Sequence, residues 1–231
     1  MIPFKLIMDN TVNDNELLVY CSVFSKSKTD YLITSSSASD IGDVISVCKN
    51  TVNRCIKSLR DKNYLMKLIK GFSSVKQPMY TNDLCISIDE EFIYRKDLSV
   101  QEKAYLIKCV GLIIKTYLSL ENNYIDSYQP ELVKEFGICP KKMYQIERSL
   151  KEKGLLTIDN EYNKEVLGRA VPHRIYDFKN IFISPIEVKM CIHANCMFYF
   201  LEVTEMELTE YLIENGFVQI HDYKNNTNTV E

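Results

Sequence analysis

Two stretches of this chain follow one pattern, and that duplication constrains the fold more than any other feature. Residues 46–65 read SVCKNTVNRCIKSLRDKNYL, and residues 137–156 read GICPKKMYQIERSLKEKGLL. In the first, Val52, Cys55, Ile56 and Leu59 recur at the three- and four-residue spacing of one buried helix face. Lys49, Asn50, Asn53, Arg54 and Lys57 fall on the other face. In the second, Met143, Ile146 and Leu150 form the buried stripe, while Lys141, Lys142, Gln145 and Arg148 point outward. Asn63 and Gly154 stand where a left-handed residue ends a helix, and an apolar pair then begins an extended segment.

The surroundings repeat as well. Asn13 or Asp14 can cap a helix to about Phe24, and Ser99 can cap another through Ala104, Ile107 and Ile114. A short helix is expected over residues 38–45 in the first copy and over 130–136 in the second. A hairpin follows each long helix, with strands expected at 64–69 and 75–80, then at 156–158 and 166–178. Ser46 corresponds to Gly137 and Asn63 to Gly154, both 91 residues on, whereas Glu16 and Glu102 stand 86 apart. The second copy therefore carries five extra residues, which fit the 117–128 connection. One fold used twice is the reading of such a register.

Helix, strand, helix, turn, helix, hairpin is the winged-helix order. The expected fold is mainly α with small β wings (α+β), as two tandem winged helix-turn-helix domains over residues 1–84 and 85–180. A C-terminal extension over 181–231 contains a helix from Thr204 to its stop at Gly216, with a strand at 217–220 and a frayed end from 224. Thr204 and Glu207 have the spacing of a capping box. The helix is broadly apolar through Met206, Leu208, Tyr211, Leu212 and Ile213, so either the second module or another chain should cover it.

Charge divides the chain. The formal net charge is −3, which argues against a protein that coats nucleic acid indiscriminately. Between residues 49 and 76, however, Lys49, Arg54, Lys57, Arg60, Lys62, Lys67, Lys70 and Lys76 face Asp61 alone. Only this region has the electrostatic footprint of a nucleic-acid surface. An α-helix fits the major groove, where each base pair shows its own donor and acceptor pattern. Lys49, Asn50 and Asn53 are placed near the helix start to read bases, and Lys57, Lys67, Lys70 and Lys76 to meet phosphates. Arg54 could serve either task, and Thr51 completes the candidate DNA-binding set. Lys141, Lys142, Gln145 and Arg148 form a second, weaker candidate set, because Pro140, Met143, Glu147 and Glu152 dilute it.

Other chemistry is poorly represented. Cys191, His193 and Cys196 have a zinc-like spacing, but His221 is the sole nearby fourth ligand, so alternating strand residues are the preferred reading and no metal is expected. No phosphate-binding glycine loop, helix-spaced His and acid pair, or nucleophile elbow is present, and neither catalysis nor a cofactor is expected. Eight cysteines at mostly apolar helical positions, such as Cys21, Cys55 and Cys109, read as buried free thiols. With no spanning apolar run and no signal-peptide pattern, no membrane partner is expected and a cytoplasmic location is.

At SVCKNTVNRCIKSLRDKNYL the chain resembles the helix-turn-helix of winged-helix replication proteins from phages and plasmids. Val47, Thr51, Val52, Arg54, Leu59, Tyr64 and Leu65 match that family's segment. Ser46 replaces its glycine, Cys48 its serine cap and Asn63 its terminal glycine. LSVQEKAYLI, residues 98–107, resembles the first helix of plasmid initiators built from two winged helices. The resemblance implies sequence-selective binding of double-stranded DNA by a replication initiator, in a bacterial host's cytoplasm and with replication or transcription machinery as a further partner. A transcriptional regulator of phage or mobile-element genes uses the same helices, and a pair of protein-docking modules is the reading from another class. A homodimer is expected, since two-fold pairing aligns two recognition helices one helical turn apart.

Overall fold

The computed structural model describes residues 1–27, 32–67, 73–75, 83–117, 124–127, 129–163, 171–178, 187–194 and 197–218. The first copy opens with β1 (Ile2–Pro3) and α1 (Phe4–Met8). It continues through α2 (Asp14–Ser25), β2 (Ile33–Thr34), α3 (Ala38–Ile45), α4 (Lys49–Asp61), β3 (Leu65–Met66) and β4 (Ser73–Val75). The second repeats that order as β5 (Asp83–Ser87), α5 (Glu90–Tyr94), α6 (Val100–Tyr117), β6 (Tyr124–Ser127), α7 (Gln129–Phe136), α8 (Pro140–Glu152), β7 (Leu156–Asn163) and β8 (Val171–Phe178). The tail forms β9 (Glu187–Ala194), β10 (Met197–Glu202) and α9 (Glu205–Glu214). The molecule is thus α+β.

Local chemistry accounts for the helix limits. Asn13 and Ser99 each accept the backbone N–H three residues on, and Glu16 and Glu102 reciprocate by accepting the cap's own N–H. Left-handed residues at Asn63 (φ 64°) and Gly154 (φ 68°) end α4 and α8 as expected. The turns that enter those helices also match, with Ser46 at φ 58° and Gly137 at φ 62°. Gly42 matters for a different reason: a Cβ there would lie 2.2 Å from the Val47 carbonyl oxygen, so only glycine lets α3 meet its own turn so closely.

Two three-stranded sheets share one order, β2-β4-β3 and β6-β8-β7, all antiparallel. Two details differ from expectation. Ser73 and Ser74, placed in a hairpin tip, belong to β4, because β2 recruits them as its partners (Ile33 with Ser74, Thr34 with Ser73). Within the expected 117–128 connection, β6 is a strand, the counterpart of β2.

A four-stranded antiparallel sheet, β1-β5-β9-β10, ties the chain together. Ile2 pairs with Ile86, and Ile86 with Val188, so β5 bridges the first arm and the tail while crossing the 84/85 boundary. The core is one apolar cluster that runs from Leu17 and Leu59 through Leu106 and Leu150 to Leu212. The cover of α9 comes partly from the expected second module, through its opening strand β5, and partly from the first arm. Tyr211 donates its hydroxyl to the buried Asp83 carboxylate, and Phe217 packs edge-on against Phe4 at 4.9 Å, so the chain's own first arm and β5 cover it. Met206, expected on the apolar side, is 69% exposed. Residues 217 and 218 are in no strand, while 219–220 and the end from 224 lie outside the described residues. No helix among the described residues is long and apolar enough to cross a membrane.

Candidate nucleic-acid interface

Each long outward helix is anchored by a buried glutamate. Glu16, 4% exposed, takes Lys62 Nζ at 2.7 Å and sits beside Ser58. Glu102, 3% exposed, takes Lys153 Nζ at 2.6 Å and sits beside Ser149. The same two lysines also donate to backbone carbonyls, Lys62 to Thr11 and Lys153 to Asp97. Every member has its partner in the repeat register, so one polar device is present twice. Burial alone would push both carboxyls up. Hydrogen bonds from the lysine, the serine and the cap backbone outweigh it and hold both below the usual glutamate range.

This device corrects the sequence reading of Lys62. It belongs to the inner framework rather than to the basic surface, since its ammonium is committed to Glu16. The matching registers of Glu16 and Glu102 were visible in the sequence, but the serines were not singled out and Lys62 reads there as part of the basic run.

On α4, Cys48 is the N-cap, with no side-chain capping bond. Lys49, Asn50, Asn53 and Lys57 are all exposed, and Lys67 is exposed just past β3. Thr51 is half-buried, and its hydroxyl lies 3.2 Å from Arg54 Nη2 and 3.2 Å from Cys48 Sγ. That contact holds the Cys48 thiol below its ordinary value. Lys70 and Lys76 lie outside the described residues.

On α8, Lys141, Gln145 and Arg148 are exposed, but two of the four candidate positions are engaged. Lys142 reaches across to Asp14 on α2 at 2.5 Å, and Arg148 Nε pairs with Glu152 at 2.8 Å. Tyr144, 59% exposed, occupies the position of Asn53 and was not singled out by sequence reasoning. Its signal was the lone aromatic on an otherwise charged face.

The two helices face one cleft of about 1180 Å³, to which Thr51 and Arg54 on α4 and Lys142 and Gln145 on α8 contribute. The starts of α2 and α6 complete it through Asp14, Glu16 and Glu102, so its charges are mixed. The cleft therefore separates Thr51 and Arg54 from Lys49, Asn50, Asn53 and Lys57, which line the free side of α4. Lys96 Nζ spans the repeats by donating to the Asp43 carbonyl at 2.7 Å.

Elsewhere the cysteines are mostly apolar filling. Cys21, Cys55 and Cys109 are buried free thiols, and burial pushes Cys21 up to about 12. Cys191 is buried in β9 beside Cys85, which fits alternation along a strand. The His193 side chain, Cys196 and His221 lie outside the described residues. Among the described residues, no three His, Cys, Asp or Glu side chains gather where they could hold a metal ion. No protein-family model, curated protein or solved structure matches this chain.

Proposed function

We propose that the chain is a tandem winged-helix protein, with modules over residues 1–84 and 85–180, that binds double-stranded DNA selectively. The observation that carries this reading is the free face of α4. Lys49, Asn50, Asn53 and Lys57 are all exposed on the second helix of a two-helix unit, while Val52, Cys55 and Leu59 are spent on the core. Polar amides near a helix start suit base edges, and the lysines suit phosphates. The resemblance of residues 46–65 supports a phage- or plasmid-type replication initiator acting in a bacterial cytoplasm as the finer reading. A transcriptional regulator would use the same residues. On α8, the exposed Tyr144 and the Arg148–Glu152 pair favour protein contact over phosphate contact.

The test is duplex selection from a random library with the full chain, followed by salt titration. Lys57→Ala and Lys67→Ala should each flatten the log–log salt slope by about 0.9 and weaken all duplexes alike. Asn53→Ala should instead reduce discrimination between sites by roughly 1–3 kcal/mol. Lys141→Ala and Arg148→Ala should do less. Binding that ignores salt, or that survives the α4 changes and fails with the α8 changes, overturns the reading. Selected sites in tandem favour an initiator, and palindromes a regulator.

A further inference from the structure

The C-terminal extension carries a surface that the DNA reading leaves unused. Three of the large apolar side chains most exposed among the described residues lie here, Tyr199 (43%), Leu201 (50%) and Met206 (69%). In the antiparallel register Leu201 stands opposite Met190, and Tyr199 opposite Ile192, so these four share one face of the β9–β10 hairpin. A cleft of about 760 Å³ lies between that face and α9, with Met190, Ile192 and Leu201 among its lining residues. Pockets of about 300–1,000 Å³ hold a ligand or several side chains.

The rim has one sign. Glu207, Glu210 and Glu214 recur along α9 at three- and four-residue spacing, and all three line the cleft with Glu202. Among the described residues Lys5 is the one cation lining it, and it is already drawn to Asp83 at 3.8 Å and over the Tyr211 ring at 5.8 Å. An apolar floor beside an acidic wall selects its occupant by charge as well as by shape.

We propose that this cleft docks a basic amphipathic helix of a partner protein, with the apolar face on Met190, Ile192 and Leu201 and the lysines against Glu207, Glu210 and Glu214. A helix laid into a groove is one of the recurring modes of peptide recognition. A second copy of this face would bring like charges together, which costs energy. The chain's own last residues, QIHDYKNNTNTVE, carry Lys224 against Asp222 and Glu231 and so lack the complementary charge.

The experiment uses the full chain and a fluorescent Lys/Leu amphipathic peptide of roughly five helical turns, about 18 residues. A Glu/Leu peptide of the same pattern is the control. In about 0.15 M salt, anisotropy should show saturable binding of the Lys/Leu peptide alone. The pair Glu210→Lys and Glu214→Lys should weaken it by about tenfold or more, as should Leu201→Ser with Met190→Ser. The pair Glu90→Lys and Glu91→Lys on α5, with the same change in net charge, should leave it within about twofold. Equal losses from both charge pairs, or equal binding of both peptides, overturn the proposal. So does a dimer in sedimentation that Leu201→Ser dissolves, which would make the cleft a contact between copies. Peptide binding that appears only after residues 219–231 are deleted would show that the tail fills the cleft, and would also overturn it.

Discussion

The two repeats agree on the inside and differ on the outside. Asn13, Glu16, Ser58 and Lys62 in one, and Ser99, Glu102, Ser149 and Lys153 in the other, build the same buried device from the same relative positions. On the free faces Asn53 is replaced by Tyr144 and Lys49 by Pro140, and on the cleft side Thr51 is replaced by a Lys142 that is tied to Asp14. The second copy also has buried Lys103 and Lys108 where the first has Leu17 and Ser22. Ser22 Oγ donates to the Ile41 carbonyl and Lys108 Nζ to the Phe136 carbonyl, so even that replacement keeps one task, tying the inner helix to the short helix before the turn. A duplicated unit keeps what positions its second helix and is free to vary what that helix presents. That is why the outward residues carry the functional argument.

The comparison breaks most clearly at the glutamates. Removing one partner of a buried ion pair leaves the other uncompensated, at a cost of about 3–5 kcal/mol. Lys62 and Lys153 are 24% and 32% exposed and can regain water. Glu16→Ala and Glu102→Ala should therefore each lower urea-measured stability by less than that range, and by similar amounts if the two devices are equivalent. Both carboxyls are held below their unfolded values, so their contribution is present above the unfolded pKa, about 4.3, and is lost as pH falls through the lower folded value. The wild type should therefore lose stability on acidification more steeply than either variant. A large loss at one site and none at the other would show that the devices are alike in geometry alone.

How much of this could be read from the sequence follows from the range of each interaction. Helix limits, the left-handed residues at Asn63 and Gly154 and the 91-residue register depend on neighbours within a few positions, and the sequence displays them directly. The sheet β1-β5-β9-β10 joins Ile2 to Ile86 and Ile86 to Val188, and no local pattern announces such pairings. The candidate surface was legible to the same extent. Lys49, Asn50, Asn53 and Lys57 were correctly placed on the free face by helical periodicity. Lys62 and Lys142 were misplaced because their acidic partners, Glu16 and Asp14, lie far away in sequence. The cleft that receives Arg54 exists only once the two repeats are packed together.

A smaller effect is expected where α6 departs from α2. Lys103 is 2% exposed and donates to the Ile93 carbonyl at 2.6 Å, in the place where the first repeat has Leu17. Burial pushes its ammonium down to about 8. Replacing a buried charge with a hydrophobic side chain of similar size is often stabilising, so Lys103→Leu should gain about 1 kcal/mol at pH 7. Between pH 8 and 10 the unfolded lysine still holds a proton that the folded one has released, so the wild type gains stability over this interval. The advantage of the variant should shrink accordingly. An advantage that widens with pH, read from denaturation at each pH, would show that Lys103 is held by something other than its bond to Ile93.

The smallest effect lies at the helix starts. Cys48 and Cys139 are matched N-caps, both exposed and both without a side-chain capping bond. Serine accepts the N–H of the third helical residue far better than a thiol does, and a good cap contributes about 0.5–2 kcal/mol. Cys48→Ser and Cys139→Ser should therefore each stabilise the chain, near the lower end of that range because the sites are exposed. The gains should be unequal. At Cys48 the new hydroxyl displaces a contact the thiol already makes with the Thr51 side chain, whereas at Cys139 the residue in the Thr51 position is Lys142, committed to Asp14. The larger increase in thermal midpoint should thus come from Cys139→Ser. If Cys48→Ser gives the larger one, the Thr51 contact contributes nothing to the start of α4, and the two helix starts differ in composition without differing in energy.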